Sequence, residues 1–261
     1  MPLNAVIVTR PLTQAEPLAQ RITAIGRQAI VFPLLEIHPL EDQTLLRAAL
    51  KDLGAYAMVA FVSPNAVDAA FSVLRGLALS WPREVALAVM GEGSRQALLK
   101  HGMTQDNATI ISPLDPTRTD SHTLLEALDL SGLAGKQVLI VRGESGRELL
   151  GDALREAGVE VRQVAAYRRA APILDTAGQA RLRQLIEVDH DWLVTSSESV
   201  RILMQMAQQI AGAAGVAKLQ QQKIIVPHAR IAETAQVLGF KDIVLTGSGD
   251  EQVLAALQFA A

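Results

Sequence analysis

The segment AVIVTRPLTQAEPLAQRITAIG, residues 5–26, decides the fold, because residues 137–158, QVLIVRGESGRELLGDALREAG, repeat its plan 132 positions later. In each segment a short apolar run leads to an arginine, Arg10 or Arg142, and a helical pattern then ends at a glycine. A strand followed by a helix is the building unit of parallel α/β sheets. The pair therefore predicts a chain made of repeated strand–helix units.

Short β-rich runs alternate with longer segments of helical period along the rest of the chain. We predict strands over Ala5–Val8, Ala57–Val62, Val85–Val89, Ala108–Ile111, Gln137–Val141, Trp192–Val194, Lys223–Val226 and Asp242–Leu245. Two further extended runs, Phe32–Ile37 and Val161–Tyr167, are not followed directly by a helix. We expect these two runs to connect domains.

A second internal correspondence supports a duplication of the chain. Residues 62–67, VSPNAV, resemble residues 195–200, TSSESV, and the unit that ends at Gly102 resembles the one that ends at Gly239. Chance similarity of strand–helix units is the alternative, but several correspondences in the same order favour duplication. We therefore predict an α/β fold of two similar parallel-sheet, flavodoxin-like domains.

The composition excludes several classes of protein. The chain of 261 residues contains no cysteine, which excludes disulfides, thiolate metal sites and cysteine nucleophiles. A net charge of -3 and few aromatic residues argue against a nucleic-acid partner. The longest apolar run, Ala55–Val62, is far shorter than the roughly 18 residues of a membrane span. A strand pattern follows Met1 without a secretion signal, so we expect a cytoplasmic protein that makes no membrane contact.

Polar or glycine-rich loops follow five of the predicted strands. They are Ser63-Pro64-Asn65, Gly91-Glu92-Gly93-Ser94, Arg142 to Arg147, Thr195-Ser196-Ser197 and Pro227-His228-Ala229-Arg230. Each loop alone is most simply a helix N-cap. Because such loops lie at the carboxyl ends of parallel strands, where helix N-termini attract anions, the five together predict a cleft for an anionic ligand.

The usual catalytic and cofactor motifs are missing. The Gly91-Glu92-Gly93 loop has Gln96 where a dinucleotide fingerprint needs its third glycine, and no Walker loop occurs. The five histidines do not fall at metal-ligand spacing, and neither Ser63 nor Ser196 lies in a nucleophile elbow. We therefore expect no metal and no cofactor.

A set of short motifs in a fixed order carries a family resemblance. The motifs are Val8-Thr9-Arg10-Pro11, Phe32-Pro33-Leu34, Ser63 to Val67, Val141 to Glu144 with Gly146-Arg147, Tyr167-Arg168-Arg169, Thr195-Ser196-Ser197 and Arg230 to Glu233. The set resembles the uroporphyrinogen-III synthase family over essentially the whole chain. The resemblance implies a discontinuous first domain of residues 1–36 plus 170–261, a second domain of residues 38–168, and a two-stranded linker with connectors near 32–38 and 164–170.

The resemblance also implies a reaction. Hydroxymethylbilane, a linear tetrapyrrole with eight carboxylates, would lose its terminal hydroxyl, and the macrocycle would close with ring D inverted. Such a lyase needs no cofactor, because the azafulvene cation that forms reacts once the linear tetrapyrrole is held in the right conformation. The resemblance further implies a monomer that makes transient contact with the preceding enzyme of tetrapyrrole (haem) biosynthesis.

The resemblance assigns roles to individual residues. Tyr167 would help to expel the hydroxyl, since a phenol keeps its proton at neutral pH and can donate it. The substrate-binding candidates are Ser63, Asn65, Gly91, Ser94, Arg142, Thr195, Ser196, Ser197 and His228. Arg10 and Arg147 also follow strand ends, but Arg142 is the arginine we select. One departure is that His228-Ala229-Arg230 stands where some family members carry hydroxyl residues.

The sequence leaves two interpretations open that place the protein in other functional classes. The first is a cytosolic two-lobed protein that binds an acidic small molecule without catalysis. The second is a phosphosugar isomerase or a receiver-like regulator, which would need a phosphate loop or clustered acidic residues at strand ends.

Overall fold

The computed structural model describes residues 5–113, 121–146 and 148–259 and divides into two compact units. Unit 1 comprises Met1–Glu36 and Ala170–Ala261, and unit 2 comprises Ile37–Arg169. Each unit is a mostly parallel sheet with helices. The predicted fold class, two α/β domains of which the first is discontinuous, is therefore confirmed.

The strands and helices alternate along the chain. The strands are β1 (Val6–Val8), β2 (Ala29–Val31), β3 (Glu36–Pro39), β4 (Met58–Phe61), β5 (Ala86–Val89), β6 (Ile110–Ile111), β7 (Gln137–Gly143), β8 (Glu160–Ala170), β9 (Asp191–Leu193), β10 (Lys223–Val226) and β11 (Asp242–Leu245). The helices are α1 (Leu12–Ala24), α2 (Thr44–Lys51), α3 (Pro64–Gly76), α4 (Glu92–Lys100), α5 (Ser121–Glu126), α6 (Leu130–Leu133), α7 (Leu149–Glu156), α8 (Thr176–Glu187), α9 (Ser197–Leu219), α10 (Ala229–Val237) and α11 (Asp250–Phe259), with a 3₁₀ helix at Leu53–Ala55.

The sheet of unit 1 has the strand order β11-β10-β9-β1-β2, and all of its strands are parallel. The strand β1 lies inside this sheet, where Val6 to Val8 pair with residues 29–31 of β2 on one side and residues 191–193 of β9 on the other. The N-terminal segment therefore forms part of the interior of a sheet whose other strands, apart from β2, come from the C-terminal part of the chain.

The sheet of unit 2 has the strand order β3-β8-β7-β4-β5-β6. Its five strands from β8 to β6 are parallel and correspond, one by one, to β2, β1, β9, β10 and β11 of unit 1. The duplicated segments 5–26 and 137–158 thus supply the interior strands β1 and β7. In each unit the order reverses beside that strand, which creates a topological switch point at the carboxyl edge.

Two elements differ from the sequence-based expectation. The strand β2, Ala29–Val31, was not predicted, because it has only three residues, all partly buried, and follows Gly26 after two polar side chains. The run Val161–Tyr167, expected to be only a connection, belongs to the 11-residue strand β8, which pairs along β7 inside the sheet of unit 2.

Helices cover both faces of each sheet, so the interior strands carry apolar residues on both faces. In β4, Val59 and Phe61 pack into one core, whereas Met58 and Ala60 pack into another on the opposite face. None of the helices in the described ranges is both long enough and apolar enough to span a membrane.

A buried ion pair joins the two chain segments of unit 1. The Nη2 atom of Arg27, which precedes β2, lies 2.7 Å from Oδ2 of Asp191, the first residue of β9, and both side chains are nearly inaccessible. Nη1 of Arg27 also donates to the carbonyl of Leu257 in α11, at 3.3 Å. The pair therefore connects residues near the start of the chain to β9 and to the last helix.

We predict that Asp191→Asn destabilises unit 1. Removing one charge of a buried pair leaves the other uncompensated, which costs about 3–5 kcal/mol in the free energy of unfolding. The measurement is urea unfolding followed by the fluorescence of Trp192, which is fully buried in unit 1, in a Trp81→Phe background. The matched control is Glu187→Gln, which breaks an exposed pair with Lys218 in the same unit and should cost at most about 1 kcal/mol. Equal midpoints for the two variants would contradict the prediction.

Candidate functional site

All ten site residues predicted from the sequence lie near the carboxyl edges of the two parallel sheets. Unit 2 holds Ser63, Asn65, Gly91, Ser94, Arg142 and Tyr167, and unit 1 holds Thr195, Ser196, Ser197 and His228. Most of them lie at or next to the first turn of a helix, where free backbone N–H groups and the helix dipole favour negative charge. Both edges are therefore suited to carboxylate ligands.

Ser63 is the N-cap of α3. Its backbone is extended, and its Oγ accepts a hydrogen bond of 3.2 Å from the backbone N–H of Ala66. Pro64 occupies the first helical position, where its fixed φ favours the helix and its missing N–H costs nothing. The local sequence thus fixes the Ser63 hydroxyl at the end of β4.

Tyr167 meets Ser63 across the sheet. The register of β7 and β8 shifts between Arg142 and Gly143, and this bulge lets the consecutive residues Ala166 and Tyr167 both pack into the same core. The Tyr167 Oη lies 3.0 Å from Ser63 Oγ, while the side chain as a whole is 1% exposed. A Cβ added to Gly143 would lie 3.0 Å from the phenol ring, so the close approach of the ring depends on that glycine.

Arg169 completes this group. Its Nη2 donates a 3.0 Å hydrogen bond to Tyr167 Oη, and its guanidinium carbon lies 5.6 Å from the ring centroid. Arg169 belongs to the motif Tyr167-Arg168-Arg169, but the motif alone predicts no role for it. The spacing of two residues along a strand was the available signal, because alternate side chains of a strand point to the same face.

Arg142 lies at the end of β7 and is almost buried. Its Nη1 donates to Oε1 of Glu148 and, at 2.8 Å, to Oε1 of Gln163. Hydrogen bonds from Gln163 and then from Arg142 lower the pKa of the Glu148 carboxyl. A carboxylate ligand of Arg142 would therefore compete with Glu148. Arg147, the other arginine considered in this loop, lies outside the described residues.

The start of α4 lies beside the start of α3. A Cβ on Gly93 would be 3.3 Å from Cγ of Pro64, so glycine allows the two helix ends to approach. Gly91 is the N-cap of α4 and provides no side-chain cap, and Ser94 is buried. Hydrogen bonding to Arg95 lowers the pKa of Glu92, the first residue of the helix, so this end already carries a stable negative charge.

Three of the four candidates in unit 1, Ser196, Ser197 and His228, make hydrogen-bond contacts within the protein. Ser196 caps α9 by accepting from the backbone N–H of Ser199 at 3.0 Å. Ser197 accepts a 3.0 Å hydrogen bond from Thr234, a contact between α9 and α10. His228 is the N-cap of α10, and its Nδ1 lies 3.3 Å from Oγ of Ser248 in the next loop. A hydroxyl therefore lies beside the histidine that departs from the family pattern.

The carboxyl edges of the two sheets differ at the position that Tyr167 occupies in unit 2. The 132-residue shift that relates Arg142 to Arg10 relates Tyr167 to Leu35, a buried residue of unit 1. Only unit 2 therefore has the tyrosine contact with its capping serine. Within residues 5–113, 121–146 and 148–259, no cluster of three His, Asp or Glu side chains has the geometry of a metal site.

Comparisons with known proteins agree with this architecture. The family model described as uroporphyrinogen-III synthase HemD matches residues 16–248. Relatives named uroporphyrinogen-III synthase from Escherichia coli (strain K12) and Salmonella typhimurium (strain LT2) are 33% and 32% identical over 97% of this chain and 100% of theirs.

Solved structures share the fold at lower identity. The uroporphyrinogen-III synthetase of Helicobacter pylori 26695 aligns with a TM-score of 0.60 at 15% identity, covering 99% of both chains. A mutant uroporphyrinogen III synthase from the extremely thermophilic bacterium Thermus thermophilus aligns with a TM-score of 0.59 at 17% identity, covering 98% of both chains. The family match over most of the sequence, together with full-length relatives above 30% identity, shows that the chain belongs to the uroporphyrinogen-III synthase family.

Proposed function

We propose that this protein closes hydroxymethylbilane into uroporphyrinogen III, with loss of water and inversion of ring D, as a step of tetrapyrrole biosynthesis. Family membership supports an enzyme of the cyclising lyase type, and the assignment as a hydro-lyase belongs to the proposal. The same membership disfavours the non-catalytic binding protein considered above. A monomer in the cytoplasm, with transient contact to the preceding pathway enzyme, completes the proposal.

One observation carries the chemical part of the proposal. The Tyr167 hydroxyl lies 3.0 Å from that of Ser63, at the carboxyl edge of a parallel sheet and at the N-terminus of α3. Two hydroxyls in contact can supply a proton to a leaving group, and a helix N-terminus favours the carboxylates of the substrate beside it. The proposed catalytic donor is therefore the Tyr167–Ser63 pair.

The remaining candidates serve to hold the substrate. Arg142 offers a guanidinium for a carboxylate, and the N-terminal turns of α3, α4, α9 and α10 offer backbone N–H groups. The proposed binding residues around these turns are Ser63, Asn65, Gly91, Ser94, Thr195, Ser196, Ser197 and His228. Holding the flexible substrate in one conformation is the main catalytic task, because the azafulvene cation closes by itself once it is oriented.

We predict that the purified protein converts hydroxymethylbilane into the type III isomer. Unguided closure gives the uninverted type I isomer, so the ratio of isomers reports the activity directly. The measurement is oxidation of the products to porphyrins and chromatographic separation, with a protein-free control. Type I product alone, formed at the rate of the control, would remove the proposed function.

We predict that Tyr167→Phe lowers the turnover rate and leaves the product type III. General-acid help is worth about 100-fold to 10,000-fold in rate, and we expect the lower limit because the pyrrole nitrogen of the substrate also pushes the hydroxyl out. The matched control is Tyr56→Phe, which removes the other buried phenol hydroxyl, a hydrogen-bond partner of Arg162 in unit 2. Wild-type turnover by the Tyr167→Phe enzyme would exclude this phenol from the reaction.

We predict that activity does not depend on a metal ion. Dialysis against a chelator should leave the rate of type III formation unchanged. The groups proposed to donate the proton and to bind the substrate carboxylates all belong to the protein. The comparison is the same protein with a divalent ion added back. Loss of activity that one particular ion restores would show that the proposal omits an essential component.

A further inference from the structure

The hydrogen bonds that join Arg169, Tyr167 and Ser63 all run in one direction, from donor to acceptor. A guanidinium has donors and no acceptor, so Tyr167 Oη accepts the 3.0 Å hydrogen bond from Arg169. The phenol then has one hydrogen to give, and Ser63 Oγ lies 3.0 Å away. Within the described contacts, Ser63 is the only acceptor at hydrogen-bond distance from this phenol.

The opposite direction is less favourable. If Ser63 donated to the phenol, the hydrogen of the almost fully buried Tyr167 would have no acceptor in the part of the chain that the structure describes. Leaving a buried polar group without a hydrogen-bond partner is unfavourable. The donor chain therefore runs from Arg169 through Tyr167 to Ser63.

This direction determines what Ser63 can do. Its Oγ has two lone pairs, and the phenol O–H and the backbone N–H of Ala66 use both of them. The hydroxyl hydrogen of Ser63 can then be donated to a bound substrate, because no group of the donor chain accepts it. Ser63 is also partly exposed, whereas Tyr167 is 1% exposed, so the serine is the member that a substrate can reach.

We propose that Ser63 is the residue that donates to the leaving hydroxyl, and that Arg169 is a positioning residue which fixes the direction of the donor chain through Tyr167. The inference rests on the proposed function and deepens it. Tyr167 remains necessary because it replaces the hydrogen that Ser63 gives away.

The transfer balances without a further reactant. The pyrrole nitrogen supplies the electrons that break the C–O bond, and the departing oxygen takes the Ser63 hydrogen to become water. Ser63 takes the Tyr167 hydrogen, and the positive charge of Arg169 faces the phenolate. Formation of the closing C–C bond releases a proton from the attacked pyrrole carbon, and that proton restores Tyr167. The sum is one substrate converted into one product and one water.

The first test is a double-mutant cycle of Arg169→Met and Tyr167→Phe. We expect Arg169→Met alone to lower kcat about tenfold, with KM within about twofold, as for the loss of part of a general-acid effect. In the Tyr167→Phe background the same change should have no further effect on kcat, because Arg169 acts through the phenol. Arg169→Lys, which keeps a donor-only cation, should restore part of the rate.

The matched control is Arg168→Met, which removes the same charge from the neighbouring position. Successive strand residues point to opposite faces, so Arg168 lies on the other face of β8 and its loss should leave kcat unchanged. If Arg169 only attracted the carboxylates of the substrate, its replacement by methionine would raise KM and leave kcat unchanged. Equal losses of kcat in both backgrounds, or a change in KM alone, would overturn the role of Arg169.

The second test addresses Ser63. Ser63→Ala should lower kcat at least as much as Tyr167→Phe, whereas Ser63→Thr, which keeps both the hydroxyl and the N-cap, should retain most of the rate. Ser63→Ala also removes the N-cap of α3, so a second variant controls for the loss of a cap. Asp175 caps α8 in the same way, and Asp175→Ala should leave activity unchanged. Melting temperatures measure the loss of the cap separately.

The outcomes separate the two levels of the proposal. Absence of type III product from the wild-type protein would overturn the proposed function and, with it, the donor chain. Normal type III formation by the wild type together with full activity of Ser63→Ala would overturn the donor chain alone.

Discussion

The pairing of β1 with β9 is the constraint on which the rest of unit 1 depends. Val6 to Val8 are completely buried between two parallel neighbours, and residues 191–193 supply one of them. Without this pairing, an apolar strand and the α1 face that packs over it would be exposed to water, and the sheet would be divided at its interior. The Arg27–Asp191 ion pair lies at the same junction, so charge as well as apolar burial makes the two chain segments dependent on each other.

The interior position of β1 and β7 also explains where the chemistry-bearing residues gather. A parallel strand in the middle of a sheet places its following loop beside the loops of both neighbours. In unit 2 this brings the ends of β4, β7 and β8 together, and the Ser63–Tyr167 contact joins two of them. Gly143, at the end of the third, provides the space that the phenol ring occupies. The site is thus a consequence of strand order and of a bulge, and no single loop motif contains it.

The sequence predicts the fold class well because periodicity and duplication act over long segments. It misses β2, since three partly buried residues carry too little pattern to be distinguished from a loop. It predicts positions at strand ends, but it does not predict which side chains meet. The Ser63–Tyr167 distance depends on the register shift at Gly143, and the Arg142–Glu148 pair depends on the course of a loop, and neither leaves a periodic signal. Arg169 is the instructive case, because its alternation with Tyr167 was visible but only the contact gives it a role.

The discontinuous arrangement of unit 1 has a consequence for synthesis on the ribosome. Unit 2 is complete once residue 169 has emerged, so its sheet can form while the rest of the chain is still being translated. The strands β1 and β2 have by then been outside the ribosome for more than a hundred residues, yet β9, the second neighbour of β1, does not yet exist. The strands β1 and β2, which are made before unit 2, therefore complete their sheet after it, and their apolar surfaces need protection from aggregation during that interval.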